Sequence, residues 1–513
     1  MEFYKDTWSV LDKYFESSYF LTKHHLDSYN DFVQNKVLNT IKVLNPFVII
    51  KKQDAANITH EINIFIGGKT GEEVFINKPT IVENGEQRLM YPNEARLKNM
   101  SYASDIFVNV TVSYTTNDNG KETVYEDIIQ NVKIGSIPIM LHSSLCVLNN
   151  QPPSVLQEMG ECIYDQGGYF IVDGKEKVIV AQERITTNRI FINKSKDNDE
   201  NENAKTKDKA KTKASKSGTD EKEEAKANAD PQAKAKAASK KYSYEGLIRC
   251  TSEENPLFPK TINLYALKNN SIKLSCPNIN AHVSLFVLFR ALGVESDKDI
   301  IRHIVGDIED PMNKVMIDFL RASVLDGAAH VSDTTGPIMS QEAALKYLSH
   351  LVKYEDIDAV KHVLLNDIFP NVGTQFSNKA LFFGHIIRKF IKVCLGMEKE
   401  SDRDSYIFKR VDISGFLLAN LFRDYYNQFR NKVRDTVDKE YLYGPWRTMK
   451  NLKTMINASN VYNIFQHKII EEGLRKSLKG SWGVNMGDDT HDPDDVTEGL
   501  VQDLSRISYV GFI

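Results

Sequence analysis

The stretch GGYFIVDGKEKVIVAQER, Gly167 to Arg184, decides how the chain is read. An apolar run ends on Asp173-Gly174, and a second β-branched run leaves through Val178, Ile179 and Val180. Asp-Gly between two such runs predicts a β-hairpin, because a type I′ turn needs positive φ at both central residues. The hairpin opens on a glycine pair and closes on a polar group: Lys175, Glu176, Lys177, Gln182, Glu183 and Arg184. That group is either the solvated face of the hairpin or a site.

Working outward, the N-terminal side alternates helix and strand signals. Trp8, Leu11 and Phe15 recur at helical spacing, as do Phe32, Val37 and Ile41, so two helices are expected before residue 45. EINIFI then alternates, and DIFVNVTVSYTT places Ile106, Val108, Val110, Val112 and Tyr114 on one face at period two. Asn119-Gly120 turns that strand back into ETVYEDIIQ. Beyond the hairpin, residues 194–241 carry no large apolar side chain and are rich in Lys and Ala. Such a segment cannot bury enough surface to offset its ordering entropy, so a disordered insertion is expected there. YSYEGLIRC and TINLYAL read as strands, followed by a mostly helical region. Two longer helices are predicted over KALFFGHIIRKFIKVCLGM and ISGFLLANLFRDYYNQFRNKVRDTV.

At 513 residues the chain exceeds what one core usually supports, and its 41% apolar content permits several. A net charge of −4 gives no global basic signature, so any contact with nucleic acid must rest on a local patch. The five cysteines are odd in number and none forms a C-x-x-C pair, which predicts reduced thiols and neither a zinc site nor a disulfide framework. No signal peptide and no run of about 20 apolar residues is present, so an intracellular protein with no membrane association is expected.

The residues alone reveal no self-contained active site. The acidic cluster GDDTHDPDD, Gly487 to Asp495, suits a hard cation in its ligand type, but its frame does not fit an EF-hand, and an exposed loop is the reading taken. His24-His25 has no zinc-type partner at useful spacing and is read as surface. Phosphate-loop, dinucleotide-loop and nucleophile-elbow patterns are missing. The mixed charges of SDRDSYIFKRVDISG read as a salt-linked loop. LKGSWG ends an amphipathic helix on Gly480 as a C-cap, where Lys479 and Trp482 could pair with or stack on a nucleotide.

The opening stretch resembles a signature of the second-largest, β-type subunit of multisubunit DNA-directed RNA polymerases, G-G-Y-F-I-x-x-G-x-E-K-V-x-x-A-Q-E-R. IPIML at Ile137 to Leu141 precedes it in the family's order. Further segments resemble the family in sequence: the N-terminal helices, NEARLKNMSYASDIFVNV, FRALGVESDKDIIRHI, SDRDSYIFKRVDISGFLLANLF and GLRKSLKGSWG. The resemblance implies an α+β, multidomain fold. It places a mixed sheet-and-helix protrusion over 1–193 and 378–440, an inserted helical lobe over 242–377, and the start of a fork over 441–513. It also implies one side of the cleft that holds DNA and the RNA–DNA hybrid in template-directed nucleotidyl transfer, with no catalytic residue in this chain. Lys177, Gln182 and Arg184 match hybrid-facing positions; Lys479, Ser481 and Trp482 would lie near strand separation; Gln502 and Arg506 of GLVQDLSR would face the hybrid. Such positions contact phosphates and sugars without reading bases.

By the same resemblance, the catalytic Mg²⁺ belongs mainly to the largest subunit, and Zn²⁺ to a C-terminal clamp that this chain lacks. Expected partners are the largest and other polymerase subunits, the DNA template, the RNA–DNA hybrid, and a separate polypeptide carrying the rest of the subunit. The acidic segment between SWG and GLVQDLSR departs from the family's polar-to-basic loop. The ending SYVGFI suggests a split or interrupted subunit, from a nuclear or large-DNA-virus enzyme. The alternative is a non-enzymatic nucleic-acid-binding or assembly protein built from the same domains.

Overall fold

Period-two alternation becomes a buried face in the long hairpin of Ala103–Asp118 and Lys121–Pro138, where Ile106, Val108, Val110, Val112 and Tyr114 are all fully buried. The computed structural model describes residues 2–16, 19–53, 58–118, 121–195, 242–329, 338–352, 356–444, 455–457, 459–483 and 497–508. Asn119-Gly120, the insertion 196–241 and the acidic cluster lie outside these residues. The fold is α+β, and the chain divides into two compact units, 1–184 with 411–513 and 185–410.

The first unit is built on a five-stranded antiparallel sheet. Phe47–Gln53 pairs with Ile58–Ile66, which pairs with Ala103–Asp118; that strand also pairs with Val74–Ile76 and with Lys121–Pro138. The thirty-residue helix Ser414–Tyr443 buries Leu418, Phe422, Tyr426, Phe429, Val433 and Val437, a stripe at helical spacing. Phe32 from the N-terminal helices meets Phe422 edge-on at 6.4 Å between ring centroids. The helix Lys468–Leu478 crosses the long helix closely at Gly473, where an added Cβ would lie 2.4 Å from the Tyr425 ring. Only glycine permits that approach.

His25 is half-buried rather than at the surface. Its Nδ1 lies 3.2 Å from Ser414 Oγ and its ring 4.3 Å from that of His24. Burial, with the neighbouring His24, lowers its pKa to about 4.

The second unit has its own core. Five antiparallel strands, Ile190–Lys194, Tyr242–Cys250, Lys260–Leu267, Ile272–Ser275 and Val283–Ser284, follow in sequence order. The helices after them pack Phe286, Phe289, Phe383, Ile387 and Phe390 onto Ile248, Ile262 and Leu264. Residues 185–193 and 378–410 fall within this unit: Ile190–Lys194 pairs with Tyr242–Cys250, and the helix Phe376–Cys394 buries its apolar face in the same core. Lys379 on that helix is fully buried and donates to the carbonyls of Leu364, Leu365 and Ile368 at 2.8, 2.6 and 2.6 Å. It satisfies carbonyls that the end of the helix Ile357–Asn366 leaves unpaired. All five cysteines are free thiols.

Candidate nucleic-acid interface

The signature hairpin forms as its sequence dictates. Phe170–Val172 pairs with Lys175–Ile179, and Asp173 and Gly174 take φ of 50° and 76° between them, the type I′ combination. Phe170, Ile171 and Val172 are all buried because both faces of that strand are covered. The other edge of the hairpin is occupied by Val501–Asp503. This third strand pairs Val501 with Ile179, Gln502 with Val178 and Asp503 with Lys177. Two further backbone bonds extend it, Val180 N to Leu500 O at 2.9 Å and Leu504 N to Glu176 O at 3.0 Å. The GKEKV and GLVQDLSR segments, more than 300 residues apart in sequence, thus share one small sheet.

That pairing organises the charged side chains. Lys177 Nζ lies 2.5 Å from Asp503, and only 12% of the Lys177 side chain is exposed. The Lys177 hydrogen bond holds the Asp503 carboxyl below the usual carboxylate range. Arg506 donates to both oxygens of Glu176 at 2.8 Å and to Tyr169 Oη at 2.9 Å, with its guanidinium 5.1 Å from the Tyr169 ring centroid. Arg96 binds the same Glu176 at 2.9 Å, Glu161 at 2.9 Å and Tyr169 Oη at 2.8 Å. Tyr169 in turn donates to Asp165 at 2.5 Å. Burial opposes the charge on Arg96, but Tyr169, Glu161 and Glu176 outweigh it and hold the group protonated. Burial lifts the Glu161 carboxyl above its ordinary value despite the adjacent Arg96.

At the turn, Asp173 accepts hydrogen bonds from Arg475 at 2.8 Å and Ser101 at 3.0 Å, and pairs with Lys479. Burial would raise the Asp173 carboxyl, yet the Lys479 and Arg475 hydrogen bonds prevail and lower it. The C-terminal end of the helix Lys468–Leu478 is thereby tied to the hairpin turn. Gly480, at φ 129°, follows Lys479 as the sequence predicts for a helix stop. Trp482 is half-buried and bridges to Thr497, with N–H to carbonyl distances of 3.3 and 2.8 Å in the two directions.

The eight residues singled out from sequence therefore differ in their surroundings. Lys177 and Gln502 share the three-stranded sheet, Arg506 reaches it through Glu176, and Lys479 through Asp173. Gln502 is exposed, its amide donating to Gly499 O at 3.2 Å, while Ser481 and Gln182 are half-buried. Arg184 stands apart: its Nε lies 2.9 Å from both oxygens of Asp412, and its guanidinium lies 5.3 Å from the Phe416 ring centroid. That pair makes the SDRDSYIFKRVDISG charges partly structural, as expected. Glu176, by contrast, is not on a solvated face, since its side chain is 17% exposed and clasped by two arginines.

Sequence reasoning missed Arg96, Asp173, Glu176 and Asp503 as members of the surface. Arg96 lies in NEARLKNMSY, one of the segments with family resemblance, so its place in a motif was its available signal. Among the described residues no group of three or more His, Cys, Asp or Glu side chains is arranged to hold a metal ion. Nor, among those residues, is any helix long and apolar enough to cross a membrane.

A family described as RNA polymerase beta subunit matches residues 20–463. The chain is 30% identical over 520 residues to the DNA-directed RNA polymerase II subunit RPB2 of Encephalitozoon cuniculi, covering 98% of this chain and 38% of that protein. It is 29% identical over 528 residues to the DNA-directed RNA polymerase II subunit 2 of Arabidopsis thaliana, with 98% and 38% covered. A third relative, the DNA-directed RNA polymerase subunit Rpo2N of Methanothermobacter thermautotrophicus, is 28% identical over 525 residues, with 99% of this chain and 85% of that protein covered. The chain thus spans about 38% of the length of the first two relatives.

Proposed function

We propose that this chain, which belongs to the RNA polymerase beta subunit family, forms one wall of the cleft that holds DNA and the RNA–DNA hybrid during DNA-templated transcription. The observation that carries the reading is the three-stranded sheet joining the signature hairpin to the GLVQDLSR strand. It gathers two polymerase-like segments and their cations onto one surface. A wall of this kind needs donors that grip phosphate and sugar without reading bases.

Within that role the exposed donors are the strongest contacts: Lys479 and Arg506, whose side chains are 49% and 46% exposed, and the amide of Gln502. Ser481 and Trp482, beside the helix stop, line the same approach, and Gln182 and Arg184 lie beyond the second hairpin strand. Lys177, closed off by Asp503, acts mainly as the tie between strands. In this reading the chain works as part of a nucleotidyltransferase and supplies no catalytic side chain. The catalytic Mg²⁺ is held mainly by the largest subunit, which is a partner together with the other polymerase subunits. The setting is a nucleus or a viral factory.

Photo-crosslinking tests the wall. A benzophenone side chain at position 502 or 479 in the assembled enzyme, halted on a template, is expected to label the RNA–DNA hybrid. Labelling of neither strand from both positions would overturn the assignment.

A further inference from the structure

One helix of the second unit carries a surface that the polymerase reading leaves unused. The helix Phe376–Cys394 buries Phe383, Ile386, Ile387 and Phe390, and turns His385, Arg388, Lys389 and Lys392 to the opposite side. Their spacing of three, one and three residues puts all four on one stripe. With Glu398 they line a cavity of about 260 Å³. Lys392 is paired to Glu398 at 3.3 Å. Among the described residues neither Arg388 nor Lys389 has an ion pair, and Arg388 Nε is buried with no acceptor. The stripe thus presents two cations with no carboxylate partner among these residues, a charge that an external carboxylate complements.

We infer that this stripe is a docking site for a short acidic–apolar peptide segment of a partner protein. One turn before His385 on the same stripe lies an apolar side chain, Leu381, at 57% exposure. From Leu381 to Lys392 the stripe is about 16 Å long, the span of a peptide of a few residues. A guanidinium fork takes a carboxylate in two hydrogen bonds, and Leu381 takes an apolar neighbour one turn away. A nucleic-acid backbone fits less well. Glu398 lines the cavity beside Lys392 and closes one edge of the stripe with a carboxylate. A continuous polyanion would run past that carboxylate, whereas a discrete acidic side chain reaches Arg388 and Lys389 without meeting it. The inference does not depend on the cleft wall, which lies on other residues.

Fluorescence anisotropy on the full chain tests it. The probe is a labelled twelve-residue peptide of alternating Asp, Glu and Leu, set beside an Asp/Glu-only peptide and a labelled DNA duplex. Binding of the mixed peptide is expected to weaken at least fivefold in Lys389→Glu and in Leu381→Ser, and to weaken with salt. Both are surface substitutions that spare the core, so the test stands even if an Arg388 variant fails to fold. Equal binding of the mixed peptide by the parent and both variants would overturn the inference. So would preference for the DNA duplex that Lys389→Glu abolishes.

Discussion

Replacing Glu176 by Gln perturbs the surface at its most connected point. The side chain keeps its shape and one acceptor oxygen, but two guanidiniums lose their shared carboxylate. Arg96 is only 20% exposed, so its lost charge-assisted bond carries most of the cost, about 1.5–3 kcal/mol. Arg506 is 46% exposed and screened by water, and contributes about 0.5–1 kcal/mol. The two contributions together come to about 2–4 kcal/mol, with Glu161 and Asp165 still beside the two arginines. Urea denaturation of the parent and Glu176→Gln chains gives the global value. Hydrogen exchange gives the local one: the amides of Leu504 and Val180, which join the third strand to the hairpin, should lose protection beyond the global change. A loss below about 0.5 kcal/mol with unchanged exchange at both amides would refute the reasoning, because the network would then carry no coupling between strand and hairpin.

Two further substitutions probe the fold that holds this surface. Gly473→Ala places a methyl group 2.4 Å from the Tyr425 ring and should cost about 1–3 kcal/mol or more, read as a lower urea midpoint at constant slope. His25 gives a pH test. Its folded pKa of about 4 lies below the ordinary 6.5, so between these values the unfolded chain takes up a proton that the folded chain refuses. Stability therefore falls as pH drops from 6.5 towards 4, by about 1–2 kcal/mol once partial exposure is discounted. His25→Gln should lack this component, and an identical pH dependence in parent and variant would contradict it.

Much of the scaffold was legible because it rests on local rules. Five apolar residues at period two became one buried face, and Asp173-Gly174 adopted the turn that its residue types favour. The two long helices lie where their apolar spacing places them. The charged surface was legible only as a set of candidates. Nothing in the spacing of Glu176 and Arg506, 330 residues apart, shows that a third strand brings them into contact. Asp503 looked like one more acidic residue until its strand register set it opposite Lys177. The same holds for the helix Phe376–Cys394. A helix shows its apolar face in sequence, but which core receives that face is decided by long-range packing.

The most direct measurement of the central claim is purification of the tagged chain from its native source, followed by assay of the complex for template-directed RNA synthesis. The account predicts co-purification with a largest polymerase subunit, together with Mg²⁺-dependent transcript formation. Lys479→Gln combined with Arg506→Gln, which remove both cations without introducing carboxylates, should let the transcript dissociate at lower salt. A chain recovered alone, with no polymerase subunit and no transcript-forming activity in its fraction, would contradict it.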